Sequence, residues 1–219
     1  MSPALRRRVL RDSLTVGATT GAYGVSFGAL SAVSGLSVAQ TCALSLLLFS
    51  GGSQFALVGI LGSGGSPAAA VTTSTLLAAR NGLYAVRLAP LLRLTGWRRL
   101  LGAHIVLDES TAMALAQPRP DAARFAFRVT GVAVFLLWNL MTLLGALGAD
   151  ALGDPRQYGL DAAGPAAFIG LVAPRLRGRD PWLVAGAAAV LAAGVAPFVP
   201  AGVPVLVAAG VALAVGLRR

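Results

Sequence analysis

Apolar positions in this chain run on rather than alternate with polar ones. Residues 13–79 form a stretch of 67 positions without a charged side chain. Two further stretches cover 21 residues at 129–149 and 37 at 181–217. A soluble fold must turn polar faces to water, whereas a bilayer accepts long apolar runs, about 20 residues per crossing. Hydrophobic length predicts seven segments, 13–34, 38–61, 67–91, 128–149, 161–174, 181–198 and 203–217, and a weaker one at 100–117. Gly35, the Gly62–Pro67 run, Pro118-Arg119-Pro120, Asp154-Pro155 and Asp180-Pro181 mark the turns between them. The expected fold is all-α, a polytopic transmembrane helical bundle with glycine-interrupted helices and about six to eight membrane segments. Residues 1–219 read as one integral membrane domain with a basic N-terminus over 1–12, and no internal repeat is evident.

Composition sharpens the picture. Only 12% of residues are charged against 56% hydrophobic. All 18 basic residues are arginine, which removes Schiff-base lysine chemistry and a Walker-type phosphate-binding lysine. Cys42 is the only cysteine and His104 the only histidine, so no disulfide and no zinc-ligand spacing is available. No nucleophile–base constellation stands out, and no enzyme activity, metal or cofactor is expected. A formal charge of +10 would suit nucleic acid, but arginines at segment ends are the ordinary mark of cytoplasmic loops. Nucleic-acid binding is therefore not expected.

The arginines also set an orientation. Arg6, Arg7, Arg8 and Arg11, the group Arg119, Arg124 and Arg128, the group Arg175, Arg177 and Arg179, and Arg218-Arg219 belong inside. The loop 150–161, with Asp150, Asp154 and Asp161 against Arg156, belongs outside. Both termini are then cytoplasmic in an inner-membrane protein, which requires an even number of crossings. Six are favoured if 100–117 stays at the inner surface and one early segment is re-entrant. Eight would place Arg93, Arg98 and Arg99 outside. The first segment, although it follows a basic run, lacks a cleavage site and reads as an uncleaved helix.

Three polar or broken centres fall near the middle of their segments. Gly17, Gly21, Gly24 and Gly28 share one face of the first helix, with Tyr23 and Ser26 in the same stretch. Such a face serves close helix packing or marks a flexible helix lining a cavity. Having no evident partner within the chain, it is also a place for a second subunit. The second segment carries Ser50, Gly51, Gly52, Ser53 and Gln54, and paired glycines with buried polar groups predict an interrupted helix at a solute site or, alternatively, a kink stabilised by neighbouring helices. In the third, Arg80 lies at the centre with Tyr84 and Arg87 on the same face. Arg87 is close enough to the segment end to snorkel. Arg80 needs a counter-ion, supplied by substrate or by Asp108 or Glu109, the one adjacent pair of acids. Those two acids read equally well as a solvated surface pair.

Together these runs carry a resemblance. Gly21-Ala-Tyr-Gly-Val-Ser-Phe-Gly28, Phe49-Ser-Gly-Gly-Ser-Gln-Phe-Ala56, Arg80-Asn-Gly-Leu-Tyr84 and Asp108-Glu109 are similar to the AzlC family, over roughly residues 10–175. That family is the large subunit of branched-chain amino acid exporters. Its usual run is closer to Phe-Ala-Gly-Ala-Ser-Gln-Phe, from which Ser50 and Gly52 depart. Ala78 stands where its third segment usually has Asn, and Asn81 where it has His or Tyr. The resemblance implies a proton-motive-force-driven export complex with a small AzlD-type membrane subunit. On this basis Tyr23, Gly51, Gly52, Ser53, Gln54, Arg80 and Tyr84 are the expected substrate-binding residues, with Asp108 and Glu109 as ion or proton relays. The carboxylate of an amino acid would meet Arg80 and N–H groups freed around Gly51–Ser53. Phe27, Phe49 and Phe55 would line the side-chain pocket. A permease for another small solute and a non-transporting assembly subunit are the alternatives.

Overall fold

The computed structural model describes residues 1–152, 169, 172–173, 176–200 and 202–216. Most of the segment expected at 161–174 lies outside the described residues, as do Asp154, Arg156, Asp161, Arg175, Arg218 and Arg219. The described residues are helical throughout, with no strand among them. In chain order the helices are α1 (Pro3–Val33), α2 (Val38–Leu47), α3 (Gly52–Gly62), α4 (Pro67–Leu92), α5 (Trp97–His104), α6 (Asp108–Leu115), α7 (Pro120–Leu152), α8 (Arg179–Val195) and α9 (Val203–Gly216). Serines open several of them, because a serine oxygen satisfies an N–H that the first turn leaves unpaired. Ser2 accepts from Leu5 N–H and Ser66 from Ala69 N–H, each followed by a proline in the first turn. Ser37 and Gln40 form a reciprocal capping box. Two stretches, Pro120–Ala149 and Arg179–Phe198, are long and apolar enough to cross a membrane. Large apolar side chains lie exposed around the outside, among them Leu47, Leu83, Val86, Leu136 and Val190.

Two long helices make the spine. The glycine face of α1 is packed by α7, not left for another subunit. A Cβ on Gly17 would lie 2.7 Å from that of Ala133, and one on Gly21 would lie 2.6 Å from that of Leu137. One on Gly28 would run into the Thr142 carbonyl oxygen. Numbering rises along both helices together, so they are parallel, and Thr130 donates to Ser13 in their buried seam at 2.9 Å. The alternatives of a flexible helix and of a docking face for a second subunit are thereby corrected: α1 is unbroken, and its small residues let α7 approach. Gly28→Leu is expected to lower stability by about 1–3 kcal/mol, because the atoms it meets are backbone and cannot swing away. Thermal melting in detergent would measure it.

The remaining core helices fold into the spine from opposite ends. Gly62, closing α3, returns to Ser34, closing α1. Between these points Ser45 reaches Thr142 and Phe49 reaches Phe135, both on α7. Helices α2 and α3 thus form a hairpin whose tip, residues 48–51, lies deep in the bundle. At about 1.5 Å per residue each arm is about 15–17 Å long, half of a ~30 Å hydrocarbon layer. Helix α4 then runs antiparallel to α1, since Arg124 near the start of α7 donates to the Leu91 carbonyl at the end of α4. Helices α5 and α6 follow as a second hairpin, entered from the end of the bundle that carries Arg6 to Arg11. Its tip brings His104 to Phe49 and Phe135, at ring separations of 6.0 and 5.7 Å. The segment expected to lie at a surface over 100–117 therefore dips to the centre, because Ile105–Leu107 breaks it into two arms of one hairpin. A unit of one long helix plus one broken hairpin occurs twice, in opposite senses.

Candidate functional site

The two hairpin tips meet at the midpoint of α4. Arg80 Nη2 lies 2.8 Å from Asp108 Oδ2, and the Tyr84 hydroxyl donates to Asp108 Oδ1 at 2.6 Å. Arg80 and Tyr84 sit one turn apart on α4, so one helix face grips both oxygens of the carboxylate. The Asp108 side chain is 9% exposed and that of Arg80 28%. Asp108 opens α6, where a carboxylate also faces the positive end of the helix. Glu109 follows it and has Asp108, Arg80 and the Thr20 hydroxyl of α1 as its polar neighbours. The solvated-pair alternative for these two acids is corrected by this packing. Arg87, by contrast, is exposed, in keeping with a snorkelling side chain.

On the other hairpin the chain must break to bring its polar groups inward. Gly51 adopts φ 35° and ψ −87°, a conformation that a side chain strongly disfavours. This leaves Ser50, Ser53 and Gln54 buried at the start of α3. Ser50 and Ser53 share a hydrogen bond of 3.0 Å, and Asn81 Nδ2 donates to Ser50 Oγ at 3.2 Å. Gln54 Nε2 donates to the Leu44 and Ser45 carbonyls, both at 3.3 Å. It thereby closes the C-terminal end of α2. The N–H groups expected to be free around Gly51–Ser53 are reduced, because Ser53 N–H is taken by the Ser50 carbonyl.

Beside the tips stands an apolar wall. Phe27 and Phe55 meet edge to face at 5.7 Å, and Trp138 stacks on Phe27 at 6.0 Å. Among the described residues several buried polar atoms around this centre have no hydrogen-bond partner: Arg80 Nε, Asn81 Oδ1, Gln54 Oε1, Thr111 Oγ1 and Trp138 Nε1. Unpaired polar atoms cost about 1–3 kcal/mol each when buried, so Arg80 Nε and Asn81 Oδ1 offer a polar guest a donor and an acceptor.

The structure thus assembles Gly51, Gly52, Ser53, Gln54, Arg80, Tyr84, Asp108 and Glu109 around one centre. Tyr23 differs: it is 45% exposed. Asn81 and Trp138 belong to the centre yet are not predicted there from the sequence, and His104, itself exposed, packs against Phe49 and Phe135. A polar residue beside Arg80 was the available signal for Asn81; for the other two, single aromatic residues carry none. Among the described residues no group of three or more histidine, cysteine or acidic side chains is placed to hold a metal ion.

The family described as AzlC protein matches the chain over residues 15–152. No curated protein and no solved structure matches it.

Proposed function

The chain belongs to the AzlC family, and from that premise we propose that it is the large subunit of an inner-membrane exporter of branched-chain or similar apolar amino acids. The family and the two long apolar helices point to a membrane protein concerned with transport. The finer function is supported chiefly by one observation: a central arginine whose Nε–H has no partner among the described residues, paired to Asp108, which directly follows Leu107 of the apolar ring cluster. A carboxylate suits the guanidinium, and an aliphatic side chain suits Phe27, Phe55 and Trp138. Glu109, next to Asp108 at the start of α6, would take the ammonium group or relay a proton from the proton motive force. Broken helices whose ends meet at mid-depth are a recurrent way to hold a small solute in secondary transporters.

Orientation has support too. Arginines over 6–11, 93–99 and 119–128 fall at the same end of the bundle, because α1 and α7 are parallel and α4 antiparallel. That end is cytoplasmic by the excess of positive charge. Both termini are expected on this side, with α2–α3 re-entrant, and six segments crossing when the segment at 161–174 is counted. A tag accessible from the periplasm at either end, or labelling there of a cysteine introduced near Arg98, would overturn the orientation.

The deciding experiment is efflux of preloaded labelled leucine, isoleucine, valine and methionine from vesicles. It is run with this chain alone and with a small AzlD-type subunit. Efflux of these solutes, driven by a proton gradient and requiring the small subunit, is expected. Robust efflux from the single chain would remove the partner. Efflux of none of them would favour a permease for another solute or a non-transporting role.

A further inference from the structure

Neighbouring residues at the middle of α4 hold different hairpins. Asn81 holds the tip of α2–α3 through Ser50, and Arg80 holds the tip of α5–α6 through Asp108. Successive residues on a helix point about 100° apart, so a side chain pair at this spacing can face two separate elements. The two hairpins enter from opposite ends. Residues 80 and 81 therefore sit where access from one side and access from the other can be released independently.

We propose that Arg80 and Asn81 are a pair of latches of opposite sidedness: Asn81–Ser50 closes the site toward the arginine-poor end, and Arg80–Asp108 closes it toward the arginine-rich end. The inference rests on the transport function proposed above and deepens it by naming how the site is gated. Asn81 is a positioning residue, acting through the hairpin rather than through the reacting solute.

Three observations support it. Both latches are closed together, and Ser50, Ser53 and Gln54 are buried. Each latch is made by polar side-chain contacts, Asn81 to Ser50 at 3.2 Å and Arg80 to Asp108 at 2.8 Å, which an exchange of polar partners can open. Whichever way the Asn81 amide is turned, it keeps one unpaired polar atom, so the Ser50 contact uses only part of what the side chain offers. Space for movement is also present. A cleft of about 410 Å³ separates α5 from the end of α4, lined by Leu88, Leu92, Leu94, Arg99 and Val106 among others. The α5 arm is therefore not tightly packed against α4 along this length, and the α1–α7 seam lies elsewhere. Arg80 has a further property as a latch. A solute carboxylate competes with Asp108 for the same guanidinium, so loading from the arginine-rich side and opening of that hairpin are one exchange.

The test is sided cysteine labelling in the absence of any solute. Cys42, the only native cysteine, is replaced by serine. Buried reporters are then placed singly, Ser45→Cys on α2 and Thr111→Cys on α6. A membrane-impermeant maleimide is applied to vesicles of either orientation. Asn81→Ala is expected to raise labelling of the Ser45 reporter from the arginine-poor side about five- to tenfold, the effect of losing one hydrogen bond, and to leave the Thr111 reporter unchanged. Asp108→Asn is expected to do the reverse, from the arginine-rich side. Ser50→Ala removes the first latch from its other partner and should match Asn81→Ala, with no further increase in the double variant. Equal increases at both reporters, an increase from the wrong side, or none in either Asn81→Ala or Ser50→Ala would overturn the proposal. Because labelling needs no solute, sided labelling without amino acid efflux would reject the substrate and leave the latches standing.

Discussion

Arg80→Ala is expected to abolish efflux and to lower stability by about 3 kcal/mol. Among its partners Asp108 has Arg80 at 2.8 Å and the Tyr84 hydroxyl at 2.6 Å. Taking away the guanidinium leaves a largely buried carboxylate facing Tyr84 without its ion partner. Breaking a buried pair from one side costs about 3–5 kcal/mol, and the 28% exposure of the Arg80 side chain places it at the low end. Arg80→Lys separates the two duties. It keeps the charge beside Asp108, so folding should be near normal, but it loses the planar fork that a carboxylate grips. Transport should fall by about 1–3 kcal/mol, roughly five- to 150-fold. Combining Arg80→Met with Asp108→Leu should restore melting without restoring efflux, since no unpaired charge then remains. Normal melting and normal efflux in Arg80→Ala would return this arginine to a passive role.

How much of this centre could be read from residue order depends on the kind of signal each residue carries. Arg80 was legible because a charge inside an apolar run has few explanations, and Asp108 because so few acids stand near any segment. The break at Gly51-Gly52 was legible from helix propensity alone. The direction of the chain after each break was not. An apolar run of 38–61 reads the same whether its halves continue or fold back, and hydropathy does not distinguish them. The inverted repetition was hidden for a related reason. Gly51-Gly52-Ser53-Gln54 and Leu107-Asp108-Glu109-Ser110 occupy equivalent tips with different side chains. The α1 glycines announced a close neighbour without naming it, because α7 lies more than a hundred residues away. Asn81–Ser50 is likewise a pairing across 31 positions, and only the folded hairpin brings it about.

Gln54 is where expectation and structure diverge most usefully, and it yields the second large effect. Its amide nitrogen serves the Leu44 and Ser45 carbonyls, so its first duty is to close the end of α2 rather than to hold a solute. Leu48 N–H also reaches the Leu44 carbonyl, which leaves Ser45 most dependent on the side chain. Gln54→Leu preserves bulk but removes both hydrogen bonds at a site that is fully buried. A loss of about 2–3 kcal/mol is expected, from the severed bonds and the carbonyl left unpaired. Gln54→Glu should be worse above the pKa of the new acid. Its ionised carboxylate would face two carbonyl oxygens and could donate to neither, whereas the protonated form retains one donor. Stability of this variant should therefore rise as pH falls, opposite in sense to a carboxylate that gains a cationic partner on folding. Melting curves of both variants across pH give the measurement. If instead Gln54 chiefly binds solute through Oε1, both variants should melt as the native protein does and differ only in the concentration of solute needed for half-maximal efflux.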